Sequence, residues 1–406
     1  MDEPVRRGAG PDDVIRTWGL ALAPLALLAV LIGALIGLDP LAPLRVGVPP
    51  VEDLTIERVV LTSEPREIRL TVVNGGPEPV TVAQVIVDEA FWPHEIEPGR
   101  VIEPLHSAVV RVPYPWVEGE PHELAIVTST GLTFHHTIEV AVATPLLEGA
   151  TLGRLALLGA AVGLLPVAIG LAWYPFVRRL RATVVDALLA FSGGVLLFLA
   201  ADASVEALEV ASRVPTGFDG IAVFGTLVVV AFAALVAVGG AVRRRGRRGG
   251  SSSGDGPPGA TSVAAFIALG IGLHNLGEGL AIGSAYALGE VALTSLLLVG
   301  FAIHNSTEGL AIVAPLSVER TRPSTLVWLG LIAGGPTIAG AWLGALAFSP
   351  TIAVAFLGLG VGAIAQVLWE LARLVGRRGG LGRPGVVVGL GAGVVVMYLT
   401  ALLVAA

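Results

Sequence analysis

Two decapeptides in this chain carry residue types that bind divalent metals. The first is Leu273-His274-Asn275-Leu276-Gly277-Glu278-Gly279-Leu280-Ala281-Ile282, and the second, 30 positions later, is Ile303-His304-Asn305-Ser306-Thr307-Glu308-Gly309-Leu310-Ala311-Ile312. On a helix, residues three and four apart share a face, so each copy projects an imidazole, an amide oxygen and a carboxylate to one side. Such a set can hold a divalent cation. A lone intramembrane His or Glu often only bonds a neighbouring helix. Recurrence of the whole pattern, each time followed by Leu-Ala-Ile, argues against that bland reading.

The elements that must position these residues are two apolar helices. Both copies lie in long apolar runs flanking a short break at 287–291, which should fold one helix back on the other. Counted from that break, His274 and His304 lie at similar distances, roughly 12 residues or about 18 Å along each helix. The hydrocarbon core of a bilayer is about 30 Å thick, so the copies should face each other near its middle. Two carboxylates opposed at that depth repel unless something positive lies between them.

Composition agrees. The chain has 406 residues, 54% hydrophobic and 14% charged, which is too apolar for a soluble protein and places most of it in a membrane. It has no cysteine, so disulfides and thiolate sites are excluded and ligands must be His, carboxylate, amide or water. Every basic residue is Arg. Segment 46–145 holds 15 acidic residues against five Arg and reads as a separate soluble unit.

Residues 1–16 are polar, and the apolar run 17–38 exceeds the roughly 7 to 15 residues of a secretory signal, so a retained anchor is expected, with a cleaved signal as the other reading. Between 46 and 145 the pattern changes to period two, as in Glu67 to Val73 and Val80 to Val87, bounded by Asn74-Gly75-Gly76-Pro77 and Pro98-Gly99. About seven short strands in that length suggest an antiparallel, immunoglobulin-like sandwich. Its histidines, His94, His106, His122, His135 and His136, lack tight metal-binding spacing and read as scattered strand and surface residues rather than as a metal-capturing patch.

Eight apolar spans follow, at about 151–174, 182–206, 219–242, 261–286, 291–316, 324–348, 351–374 and 384–405. Arg-rich linkers follow the first, third, fifth and seventh, and the positive-inside rule assigns them to the cytoplasm. The N-terminus is then cytoplasmic, and the sandwich and C-terminus are extracytoplasmic. The linker 243–260 divides three helices from five. The expected fold is therefore a polytopic all-α membrane protein, an eight-helix 3+2+3 bundle plus one N-terminal helix, with an inserted all-β sandwich.

The 3+2+3 layout and the paired His-Asn-x-x-Glu-Gly helices resemble the ZIP family of divalent metal transporters, over 151–406. The resemblance implies that His274, Glu278, His304 and Glu308 are principal ligands, with Glu278 and Glu308 able to bridge two ions and Asn275 and Asn305 at second-site positions. More loosely, Asp202 and Glu206 match an outer entrance, and Gln366 with Glu370 match the family's seventh helix. One departure stands out: Gly335 occupies a position before Pro336 where many bacterial members carry a second-site Glu. The implied activity is movement of a divalent transition metal across the plasma membrane into the cytoplasm, Zn²⁺ foremost, with Fe²⁺, Mn²⁺ or Cd²⁺ as other cargo. A homodimer is implied by resemblance alone. The expected partners are the metal ion and the bilayer, with no nucleic acid.

Two other classes share parts of this pattern. An intramembrane metalloprotease needs a general base beside its first histidine, where both copies carry Asn, so no enzyme is expected. A membrane-anchored metal sensor or receptor acting through the sandwich is the alternative. Gly277, Gly279 and Gly309 read as packing glycines, and Pro166, Pro315 and Pro336 as kinks.

Overall fold

The computed structural model describes residues 26–34, 51–144, 149–248, 260–287, 291–347 and 349–405. The segment 1–16 expected in the cytoplasm, both ends of the expected anchor run 17–38, most of the linker 243–260 and the expected turn between the motif helices lie outside them. Helix α1, at 26–34, exposes its side chains and belongs to a unit, Met1–Val51, separate from Glu52–Ala406.

The described residues form nine antiparallel strands: β1 (Leu54–Ser63), β2 (Arg66–Asn74), β3 (Val80–Val87), β4 (Ala90–Trp92), β5 (Glu95–Glu97), β6 (Val101–Ile102), β7 (Ser107–Val112), β8 (His122–Thr128) and β9 (Thr133–Ile138). One sheet runs β1-β2-β7-β5 and the other β4-β3-β8-β9, with β6 paired to β3. Ile68, Leu70, Val110 and Val112 of the first sheet share one buried core with Val82, Val85, Leu124 and Ile126 of the second. The count exceeds the expected seven because β4, β5 and β6 are two or three residues long, too short to show a period. In β1 the register shifts between Ile56 and Arg58, which blurs its alternation.

A polar corner closes one end of this core. Asp88, at φ 49° after β3, accepts the Tyr114 hydroxyl at 2.6 Å, His122 Nδ1 at 2.8 Å and the Glu123 backbone N–H at 2.9 Å. Burial alone would raise its pKa, but these donors outweigh burial and hold it below the usual carboxylate range. Burial and the Asp88 carboxylate together push the Tyr114 hydroxyl up to about 12. A depressed carboxylate contributes stability above its unfolded value and loses it as pH falls through the lower folded value. Acid titration of unfolding, followed by tryptophan fluorescence, should therefore show a decline below about pH 4 that flattens in Asp88→Asn. The change should be modest, because 38% of the side chain is exposed.

The helical part comprises α2 (Gly149–Val177), α3 (Ala182–Ala211), α4 (Gly220–Arg248), α5 (Ala260–Ala287), α6 (Val291–Val313), α7 in two halves (Pro323–Gly334 and Pro336–Ala347), α8 (Pro350–Arg377) and α9 (Pro384–Ala405). Among the described residues, seven helices are long and apolar enough to cross a membrane: α2 to α5 and α7 to α9. The protein is membrane-spanning. Helix α6 adds 23 residues to the same bundle.

Glycines set the closest helix approaches, because a missing Cβ lets backbones touch. Gly279 and Gly283 of α5 back onto Thr337 and Ala341 of α7, and Gly309 of α6 backs onto Val167 and Gly170 of α2. Likewise Gly389 and Gly393 of α9 meet Ala187 and Phe191 of α3, and Gly358 and Gly362 of α8 meet Phe224 and Val228 of α4. Gly159 and Gly163 of α2 also meet Ile338 and Thr337 of α7, and α8 packs along α3, which gathers α2, α5, α6, α7 and α3, α4, α8, α9 into two groups that touch where Gly270 of α5 backs onto Val367 and Ala363 of α8. The β region docks on linkers at one end of the bundle: Thr216 Oγ1 donates to Asp53 Oδ2 at 2.5 Å, Ser349 Oγ to Glu57 Oε1 at 3.2 Å, and Arg58 Nη1 to the Leu346 carbonyl at 3.4 Å. Burial raises the Glu57 carboxyl, although the Ser349 and Thr351 hydroxyls pull it down.

Candidate metal centre

Helices α5 and α6 lie side by side, and each presents its motif inward. His274, Asn275, Glu278, His304, Asn305 and Glu308 are all at most 9% exposed. Three of them converge: one ligand atom each from His274, Glu278 and His304 lies within 4.8 Å of the others. Glu278 is the hub. Its Oε1 is hydrogen-bonded with His304 Nε2 and stands 3.3 Å from His274 Nε2, a pair too poorly aligned for a hydrogen bond. Its Oε2 accepts the Asn305 amide at 3.0 Å. The two imidazoles are 6.4 Å apart between centroids, and Phe301 sits edge-on to His304 at 5.5 Å.

The two copies are not used alike. Glu308, 1% exposed, stays outside the three-residue cluster. The Asn275 amide faces it without closing a well-formed hydrogen bond, and neither Glu308 oxygen has a hydrogen-bond partner among the described residues. Asn275 Oδ1 and Asn305 Oδ1 are likewise buried without donors. Buried polar atoms are rarely left so, and a carboxylate in an apolar interior is costly without a countercharge. The chain has no Lys, and among the described residues no Arg lines the cavity around the cluster. Imidazole nitrogen, carboxylate oxygen and amide oxygen awaiting a positive partner form a donor set that suits a divalent cation.

Both asparagines also donate to backbone carbonyls that sequence reasoning missed. Pro166 has no N–H, which frees the carbonyl four residues before it, and that carbonyl, Val162 in the π-turn Ala160–Leu164 of α2, accepts Asn305 Nδ2 at 3.0 Å. In α7 the break before Pro336 opens the preceding turn, and the Ala333 carbonyl accepts Asn275 Nδ2 at 3.1 Å. These prolines therefore do more than kink their helices. The available signal was a proline inside each apolar run that packs on a motif helix.

A cavity of about 200 Å³ leads to the cluster, lined by Asp202 and Glu206 of α3 together with His274, Glu278, His304 and residues of α8 and α9. Along α5, α6 and α8 the lining residues Ala281, Gly300 and Phe356 lie on the side of the cluster toward the β region. The other side is filled by Val263, Ile267 and Ile271 of α5 with Val367 and Leu371 of α8. Gln366 and Glu370 fall on that filled side, buried at 4% and 8%, and do not line the cavity. Gly360 of the same helix backs onto His274, and six residues of helix, about 9 Å, separate it from Gln366. Glu370 lies 3.9 Å from Arg373.

Fold and site together define a membrane-spanning helical protein with a buried His/Glu cluster reached from one face. No protein-family model matches the chain, and no curated protein does.

Proposed function

We propose that this chain carries divalent transition-metal cations across the plasma membrane into the cytoplasm, with Zn²⁺ as leading cargo and Fe²⁺, Mn²⁺ and Cd²⁺ as further candidates. The observation that carries the reading is the buried site itself: Glu278 at the hub of the His274/His304 cluster, Glu308 outside it, and orphaned imidazole and amide acceptors, with no Lys or Arg along the cavity among the described residues. The resemblance of the paired motifs to the ZIP family supports it. In this reading α6 is an eighth span, α1 belongs to a ninth, and the β region is an immunoglobulin-like domain outside the cell. The Arg-rich linkers after α2, α4, α6 and α8 face the cytoplasm, so the cavity opens outward.

Asp202 and Glu206 at the cavity mouth raise the local cation concentration. The ion exchanges waters for His274, Glu278 and His304. Glu308, with the oxygens of Asn275 and Asn305, offers a second position, and Gly335 adds no carboxylate there. Both ligand helices belong to one glycine-seamed group, while α8 on the filled side belongs to the other. Movement of one group against the other would part the Ile267, Ile271, Val367 and Leu371 contact and open the site inward.

Proteoliposome uptake tests this directly. Wild type should accumulate Zn²⁺, and the His274→Ala/Glu278→Ala double variant should fall to the leak rate of empty liposomes. Uptake undiminished in the double variant would sink the reading.

A further inference from the structure

At the end of the bundle remote from the β region, α3, α8 and α9 enclose a charged pocket that the metal site does not use. Asp186, 3% exposed, accepts Arg378 Nη1 at 3.3 Å and Arg383 Nη1 at 2.6 Å, and that second Nη1 also donates to the Arg378 carbonyl at 3.2 Å. One carboxylate against two guanidiniums leaves a net positive charge, and among the described residues the hydrogen bonds of both arginines engage only their Nη1 atoms. A pocket of about 490 Å³ lies against these groups, with Thr183 and Ser317 also on its wall. The first turn of α3, Ala182 onward, has no side-chain cap and contributes its partial positive end.

One helical turn further into the bundle the same three helices form a wholly apolar groove of about 320 Å³, lined by Leu189, Gly193, Leu371, Val375, Val386 and Leu390. Leu189 follows Asp186 by three residues, Val375 precedes Arg378 by three, and Val386 follows Arg383 by three, so the two spaces share their walls. Leu390 is 40% exposed and Val387, also on the groove, 56%, which opens the groove to the hydrocarbon rather than sealing it in the core. A cationic pocket above an open apolar groove is complementary to one chemical shape, an anionic head on an acyl chain.

We propose that this is a binding site for an anionic phospholipid, its phosphate on Arg378 and Arg383 and an acyl chain in the groove between α3, α8 and α9. On the orientation proposed above the lipid belongs to the cytoplasmic leaflet, where basic pockets between membrane helices take acidic headgroups. The lipid ties together three helices of the group that does not carry the metal ligands, so it steadies the body against which the other would move.

The test uses the purified full chain in detergent without metal, equilibrated with equal amounts of phosphatidylglycerol and phosphatidylcholine, with retained lipid read by native mass spectrometry. One net positive charge predicts about a fivefold preference for the anionic lipid. The preference should fall to parity in Arg378→Gln/Arg383→Gln. Because that variant leaves Asp186 buried alone, the neutral triple variant Asp186→Asn/Arg378→Gln/Arg383→Gln is measured beside it and should also show parity. Gly193→Leu should cut retention of both lipids, since a Cβ there has room, 3.7 Å from Leu390 Cδ1. Parity in wild type, or an unchanged preference in a folded triple variant, would overturn the assignment. So would release of the lipid by inorganic phosphate at matched concentration, which would make this a site for free phosphate.

Discussion

Glu278→Gln is expected to weaken Zn²⁺ binding by at least about 100-fold, since loss of a ligand costs no less than loss of a group that merely orients one. The amide has the shape of the carboxylate but one oxygen fewer. Glu278 uses both oxygens, Oε1 toward His304 and His274 and Oε2 toward the Asn305 amide. Whichever way a glutamine turns, its NH₂ either meets the Asn305 donor or takes the place of an oxygen between the imidazoles. It also removes one of two buried negative charges from a site with no other countercharge for the ion. Asn305→Ala should do less at the first position, about tenfold to 100-fold, because there it releases Oε2 from its orienting donor and removes no ligand. Equilibrium dialysis against Zn²⁺ measures both, with thermal unfolding of the metal-free proteins as control. A folded Glu278→Gln chain binding Zn²⁺ within about threefold of wild type would remove Glu278 from the centre of the site.

That graded expectation is one the sequence could not supply. The spacing of His274, Asn275 and Glu278, and of their counterparts, places each set on one helix face whatever surrounds it, because helical period is local. It therefore predicts a symmetric pair of half-sites. The structure has Glu278 at the hub and Glu308 to one side, and the difference comes from partners far away in the chain. Asn305 is drawn to the Val162 carbonyl freed by Pro166, and Asn275 to the Ala333 carbonyl at the α7 break. Which carbonyl is free depends on a proline, but which helix meets it depends on packing. The depth of Gln366 and Glu370 was likewise not legible: their polarity in an apolar helix was visible, whereas their place on the filled side of the cluster follows from Gly360 being the residue that meets His274. In the β region, runs long enough to alternate, such as Val80–Val87, were legible, and three-residue strands were not. The docking of Asp53 and Glu57 onto Thr216 and Ser349 had no local signal at all.

The same limit separates two glycines that look equivalent in sequence. Gly277→Ala should be tolerated or slightly stabilising, while Gly279→Ala should cost about 3 kcal/mol or more, the upper end of overpacking penalties. Two residues apart on a helix they point to opposite sides, and the structure shows what each side meets. A Cβ on Gly277 would find nothing within 4 Å, because that face borders the cavity. Replacing glycine by alanine in a helix then contributes up to about 1 kcal/mol through backbone entropy. A Cβ on Gly279 would lie 2.1 Å from the Thr337 carbonyl oxygen and 2.9 Å from the Ala341 nitrogen, both backbone atoms that no rotamer can move. Restoring ordinary contact, which begins near 3.4 Å, requires α5 and α7 to part by about 1 Å. Glu278 precedes Gly279 in the chain and would be carried along, and a metal site tolerates displacements of only about 0.5 Å. Gly279→Ala should therefore lose both thermal stability and Zn²⁺ affinity, whereas Gly277→Ala keeps both. Unfolding temperatures in detergent with and without Zn²⁺ distinguish the two. Equal behaviour of the two variants would mean that the α5 and α7 backbones do not meet at Gly279, and with that the seam joining the ligand helix α5 to α7 would be lost.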